Sequence, residues 1–187
     1  MFNIVTKKKI SEATNKILYA FLFSILIAIS AKIKVPFYPV PMTMQTFTVL
    51  LAGVMLGWKY GFLALSFYIF EGILGLPVFA GTPEKGLGVA YILGPTGGYI
   101  FGCAISAFTA GLLFNEKKYF IKKTNLVFSF LKLLLALSPT FIFGLIWLGS
   151  VIGWDKPILN LGLYPFVLGE IFKISILTII TSQILKK

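Results

Sequence analysis

Residues 168–180 read LGEIFKISILTII. The stretch is apolar on every face of a helix, as a segment buried in a core or in lipid would be. It nevertheless carries Glu170 and Lys173, three residues apart. Its meaning turns on its surroundings. The chain has 187 residues, 58% of them hydrophobic, 16% aromatic and only 12% charged. One soluble core of this length does not use that much apolar surface. Membrane helices do, at roughly 20 apolar residues each. The stretch is therefore read as part of a membrane span.

Working outward, the rest of the chain divides in the same way. The expectation is an all-α integral membrane protein, a single membrane domain over residues 1–187. Its six transmembrane helices lie at about 17–33, 45–56, 62–74, 98–114, 126–151 and 164–185. The stretch KVPFYPVPMTMQTF, residues 34–47, holds Pro36, Pro39 and Pro41. Proline fixes φ and lacks a donor, so the segment between the first two helices is extended. Gly57 to Gly61 form a turn, and residues 78–98 form a long glycine-rich connection. Pro165 suits the first turn of the last helix. Basic residues before the first apolar run resemble a signal peptide. Many equally apolar segments follow, however, and no small-x-small site closes this one, so it is read as a helix.

The net charge of +11 comes from lysine, since the chain contains no arginine and no histidine. A basic balance suggests nucleic acid in general. Here the lysines sit at the ends of apolar segments, so no nucleic-acid partner is expected and the bilayer is the first partner. Eleven lysines fall at the termini and in the loops after the second and fourth helices, four on the other side, and two within spans. The positive-inside rule then places both termini in the cytoplasm, as expected of a multi-pass protein of the cell membrane. The lone Cys103 lies in an apolar stretch. Metal and thiol-redox chemistry have little support, and no cofactor is expected.

Glu170 and Lys173 lie roughly 9–14 Å inside the outer surface, counted at 1.5 Å per residue from Tyr164. A charge at the bilayer centre costs roughly 2.5–3.5 kcal/mol. Their spacing puts them on one face, where each offsets the other's cost. One reading is a structural ion pair. The other is an outward-opening site for a small polar ligand, since ionisable groups inside a membrane default to function. Glu71 is a further buried acid, which either serves a site, reaches the interface, or pairs with a lysine such as Lys85. Snorkelling accounts for Lys132 and interfacial anchoring for Lys32 and Lys34. GPTGGY, residues 94–99, lacks the Gly-Lys-Ser/Thr ending of a phosphate loop, so no nucleotide hydrolysis is expected. Ala20, Ser24 and Ala28 form a small-residue stripe, read either as internal packing or, if outward, as the docking surface for a second membrane protein.

Four stretches carry a resemblance: PVPMTMQTFTVLLAGVMLG at 39–57, GLPVFAG at 75–81, LGPTGGYIFG at 93–102 and PFVLGEIFK at 165–173. In this order and spacing they resemble the BioY family, the biotin-binding S components of energy-coupling factor transporters, over about residue 10 to the end. The resemblance implies a six-helix subunit that captures biotin from outside. It further implies work with a transmembrane coupling subunit and two cytoplasmic ATPase subunits, and tilting in the membrane on docking. The family pattern Gly-Asp-x-x-Lys reads Gly169-Glu170-Ile171-Phe172-Lys173 here, which keeps the charge on a longer arm. On that footing Glu170 accepts ureido N–H bonds, while Lys173 meets the ureido oxygen or the tail carboxylate. Thr43, Gln45, Gly98 and Tyr99 add polar contacts and an aromatic wall. The loops at 35–42 and 80–86 close over the ligand.

Three other readings compete. A solitary carrier driven by an ion or proton gradient would use Glu170 or Glu71 as its proton site, but the two halves display no inverted repeat. A membrane enzyme would need a nucleophile and base or a metal, for which the chain offers few residues. A purely structural protein would tolerate apolar residues at both 170 and 173.

Overall fold

The computed structural model describes residues 2–114 and 125–184. The elements in chain order are α1 (Phe2–Lys32), β1 (Lys34–Val35), β2 (Met42–Thr43), α2 (Gln45–Ile73), α3 (Val89–Ile92), α4 (Gly97–Leu113), α5 (Leu126–Ile152), α6 (Ile158–Gly162) and α7 (Tyr164–Ile184). Four stretches, Glu12–Lys32, Gln45–Ile73, Leu126–Ile152 and Ile158–Gln183, are helical, long and apolar enough to cross a membrane, and Gly97–Leu113 is a shorter apolar helix. The lysines at 117, 118, 122, 123, 186 and 187, used above to orient the chain, lie outside the described residues.

The helix α2 is two arms rather than one rod. Gly57 interrupts it with φ 75° and ψ 173°. A straight helix would hold Gly53 and Gly61 about 12 Å apart. Instead a Cβ on Gly61 would stand 2.8 Å from the Gly53 Cα, so the chain turns back on itself between them. The arms at 45–56 and 58–73 take the place of the second and third helices read from the sequence. Only glycine adopts that φ without strain. The end of α4 seats on the same turn: a Cβ on Gly111 would stand 2.2 Å from the Trp58 nitrogen.

At the centre runs α4, packed on both α2 and α5, while α1 packs on α2. Its inward positions are mostly small: Gly98, Gly102, Ala104, Ser106, Ala107 and Ala110 are all buried. Small side chains let backbones approach closely, which replaces the hydrophobic drive that lipid does not supply. The stripe on α1 serves the same end. Ala20 and Ser24 are fully buried, in the layer where α1 meets α2, so the docking role assigned to Ala20, Ser24 and Ala28 is corrected to internal packing, with Ala28 at its half-buried edge. The outward face of α1 is instead Leu18, Leu22, Ile25, Leu26 and Ile29.

Pro139 sits inside α5. It cannot donate to the Leu135 carbonyl, and that carbonyl accepts the Ser138 hydroxyl instead at 2.8 Å. The Thr140 N–H crosses to Ser106 Oγ on α4 at 3.2 Å, and the two hydroxyls pair at 2.8 Å. At Pro139, α5 is thus stitched to α4 by polar groups that an uninterrupted ladder would have kept within the helix.

Loops gather at the end of the bundle opposite the Gly57 turn. β1 and β2 pair antiparallel, Lys34 with Thr43 and Val35 with Met42. Lys32 donates to Phe79 O at 2.7 Å and to Thr82 O and Oγ1 at 3.0 Å. Lys34 donates to Ala80 O at 2.9 Å, and Lys85 to Pro39 O at 3.2 Å. Three ammonium groups therefore fasten the 75–88 connection to the end of α1 and the proline-rich loop. Anchoring at the lipid surface was expected of Lys32 and Lys34, but loop carbonyls are the stronger acceptors at hand.

Candidate ligand site

Beneath these loops lies a small, partly open cavity of about 60 Å³. Its walls are mainly aromatic and apolar: Tyr68, Tyr91, Tyr99, Ile100, Phe141, Phe166, Val40 and Pro41. Into this wall project a few polar groups: Thr43, Gln45, Thr46, Thr96, Thr140 and one acid, Glu170. That composition is typical of small-molecule sites.

Glu170 and Lys173 point into the bundle, at 6% and 4% exposure. Lys173 Nζ donates to Glu170 Oε1 at 2.5 Å. It also donates to the Thr43 carbonyl at 2.8 Å and to Thr46 Oγ1 at 2.7 Å. Thr46 Oγ1 lies 3.0 and 2.9 Å from the two carboxylate oxygens. The pair on α7 is thereby fixed to the first turn of α2. The i, i+3 spacing aligns the two side chains, and the tight approach of α7 to β2 brings the third and fourth partners. A Cβ on Gly169 would stand 2.5 Å from the Met42 sulfur, so glycine is what permits that approach.

Of the residues singled out from the sequence, Glu170, Thr43, Gln45 and Tyr99 line the cavity. Lys173 stands behind Glu170 and is absent from the wall. Tyr99 is anchored by donating to the Gly162 carbonyl at 2.9 Å, and its ring meets Phe141 edge-on at 6.2 Å. Gly98 faces the other way: a Cβ there would stand 2.2 Å from Trp147 Cβ, so its place is in the α4–α5 seam. Thr46 was not singled out, although its hydroxyl bonds both Glu170 and Lys173. Its neighbour Gln45 carried the more familiar side chain, and the sequence offers no sign that the hydroxyl one position on faces the acid. Tyr68, Tyr91 and Phe141 were also missed, because an aromatic residue in an apolar run carries no mark of which side it faces.

Glu71 belongs to a different place. Ser24 Oγ donates to its Oε1 at 2.7 Å. It lines a more open groove with Phe21, Ile25, Ala28 and Val78. Lys85 is engaged with Pro39 rather than with Glu71. Among the described residues no group of three or more His, Cys, Asp or Glu side chains is placed to hold a metal.

The chain matches the BioY family model over residues 5–187. It is 39% identical over 163 residues to the probable biotin transporter BioY of Pyrococcus horikoshii, covering 87% of this chain and 91% of that one. It is 35% identical over 171 residues to the biotin transporter BioY of Thermotoga maritima, covering 91% and 96% of the two chains. Among solved structures it is similar to a crystal structure of the S-component for biotin from an ECF-type ABC transporter. The TM-score is 0.78 at 25% identity, covering 95% of this chain and 94% of that one.

Proposed function

Because the chain belongs to the BioY family, we propose that it is the biotin-capturing S component of an energy-coupling factor transporter. The observation that carries this is a single carboxylate, Glu170, held at the wall of an otherwise aromatic and apolar cavity. Biotin has the matching chemistry: a ureido ring with two N–H donors and one carbonyl, an apolar thioether ring, and a carboxylate tail. Glu170 accepts a ureido N–H, and the bicyclic ring lies among the tyrosine and phenylalanine rings, where burial of apolar area drives binding. Lys173 and Thr46 hold the carboxylate fixed in direction, so the acid loses little conformational freedom when ligand arrives.

The protein is a multi-pass membrane protein and a transporter subunit, not an enzyme. The finer proposal is six membrane crossings, with the two arms of α2 and the short α4 each counted as one and both termini in the cytoplasm. The lysine distribution supports that orientation. The cavity then opens outward beneath the loops at 34–43 and 75–88. No phosphate-binding motif is present in the sequence, so energy for uphill uptake comes from partners: a transmembrane coupling subunit and two ATPase subunits.

Equilibrium binding of biotin to the detergent-solubilised protein tests the reading, beside Glu170→Gln and Lys173→Ala with folding monitored in parallel. Tight binding by the parent, lost in Glu170→Gln, is expected. A well-folded parent that does not bind biotin returns the pair to a structural role. Binding that survives Glu170→Gln moves the ureido contact elsewhere in the cavity.

A further inference from the structure

Glu71 plays no part in the cavity, yet it sits deep in the membrane. Its partner Ser24 lies halfway along α1 between Lys16 and Lys32, about 12 Å from each at 1.5 Å per residue. Lys16 marks the Gly57 end, over the Tyr60 ring at 5.7 Å, and Lys32 the loop end. The acid is also short of donors. The single Ser24 hydroxyl proton faces two acceptors, the Phe21 carbonyl and Glu71 Oε1, each at 2.7 Å. Among the described residues no donor reaches Glu71 Oε2. Nor does Glu71 form an ion pair there, whereas Glu84, Asp155 and Glu170 each do. Lys32, which lines the same groove, spends its protons on Phe79 and Thr82 oxygens.

Beside the carboxyl group there is room. Glu71 lines a groove of about 500 Å³ with Phe21, Ile25 and Ile29 of α1 and Leu76 and Val78 of the connection that follows α2. The groove and the ligand cavity share no residue. Phe21, Ile25, Ile29 and Leu76 are exposed, so the groove opens sideways to lipid rather than to water. Its volume is that of a small-molecule site. An acyl chain would fill it and leave the acid unanswered, and an ionisable group at that depth marks function by default.

We propose that this groove takes a compact apolar amine from the bilayer, with its ammonium group on Glu71 Oε2 and its hydrocarbon body against Ile25, Ile29 and Val78. The amine supplies what the chain withholds from Glu71, a positive charge and several N–H donors. Away from water that pairing is stronger than it is in solution, and the groove walls add the burial of apolar area. An anion of the same shape would meet the acid with a like charge. The site is a second one, separate from the cavity beneath the loops, and its assignment does not rest on the biotin reading.

The probe is tritiated 1-adamantanamine, a rigid hydrocarbon cage bearing one amine, with 1-adamantanecarboxylate as its anionic counterpart. Binding is measured on the full chain in nanodiscs of zwitterionic lipid, with empty discs subtracted. The parent is compared with Glu71→Gln and with Ile25→Trp, which fills the groove and leaves the acid in place. Monodisperse elution and helical circular dichroism confirm that each variant is folded. The parent is expected to bind the amine saturably and the carboxylate not at all. Both folded variants are expected to bind the amine at least about tenfold more weakly. Biotin affinity in Glu71→Gln is expected to stay within about threefold of the parent. Unchanged amine affinity in either folded variant, or equal binding of the carboxylate, overturns the proposal. So does a folded parent without saturable amine binding. If Glu71→Gln then impairs uptake by cells but not biotin binding, the acid answers a donor on a partner's helix instead.

Discussion

At the scale of the residue, Glu170 and Lys173 exist as charges inside an apolar bundle only because each completes the other and both are fed by threonines. Taking one away strands a buried charge, which costs about 3–5 kcal/mol. Taking both away removes the penalty as well as the attraction. Glu170→Ala or Lys173→Ala is therefore expected to lower stability by about 3–5 kcal/mol, and Glu170→Leu combined with Lys173→Met by distinctly less. Denaturant unfolding in detergent measures this, and a double variant no better than the worse single one would contradict it. Such a double variant is also expected to lose biotin binding, separating the pair's structural share from its functional one. The acid and base were legible in the sequence because charges stand out in an apolar run. Thr46 was not legible, since a hydroxyl is common in membrane helices and its partner is 124 positions away. The stripe of Ala20, Ser24 and Ala28 could be read as internal packing or as a docking surface for a related reason: small residues suit close packing anywhere, and the sequence does not say against which neighbour.

At the scale of the element, the turn in α2 and the seat of α4 on it are two different uses of glycine and should respond differently to the same methyl. Gly57 has open space where a Cβ would go but a positive φ. Gly57→Ala is expected to cost about 1–2 kcal/mol, the strain of a left-handed residue. Gly111 has an ordinary helical conformation but a backbone 2.2 Å from the same position. Gly111→Ala forces α4 away from the turn and is expected to cost more, with repacking beyond the site of change. Denaturant unfolding of the two variants gives the comparison, and equal costs would mean that α4 shifts freely. The break itself could be read from Gly57 to Gly61. The short α3 and α6 could not, being four and five residues of helix inside stretches whose glycines and prolines spoke for loops. The proline-rich segment was legible, because the sterics of Pro36, Pro39 and Pro41 act within a residue or two and need no knowledge of the fold.

At the scale of the whole molecule, the ligand end is closed by loops that the lysines hold together, while the opposite end carries the Gly57 turn. Lys32 reaches three oxygens of the 79–82 stretch. Lys32→Met is expected to free that connection and speed limited trypsin cleavage after Lys85, with little change in the helical core. An unchanged cleavage rate would show that Lys34 and the β pair hold the loop alone. For transport, cells that take up biotin through this protein are expected to lose uphill accumulation when the partner ATPases are removed. Accumulation that persists without them but collapses with an uncoupler would favour a gradient-driven carrier. Fold class and membrane residence were legible from composition alone, since few architectures use so much apolar surface in so short a chain. The depth of the cavity was not, because it is set by how α2, α4, α5 and α7 approach one another.

The tie between α7 and the first turn of α2 has a bearing on release. The carboxylate proposed to meet the ligand is bonded by Thr46, on the neighbouring helix. Its counter-charge is itself held by the Thr43 carbonyl. Prising α2 from α7 would therefore spoil the acid as an acceptor before any ligand contact is touched directly. By thermodynamic linkage, bound ligand must resist that parting by the same factor. On the proposed site, anything that opens the seam between these helices is expected to lower affinity without touching the vitamin.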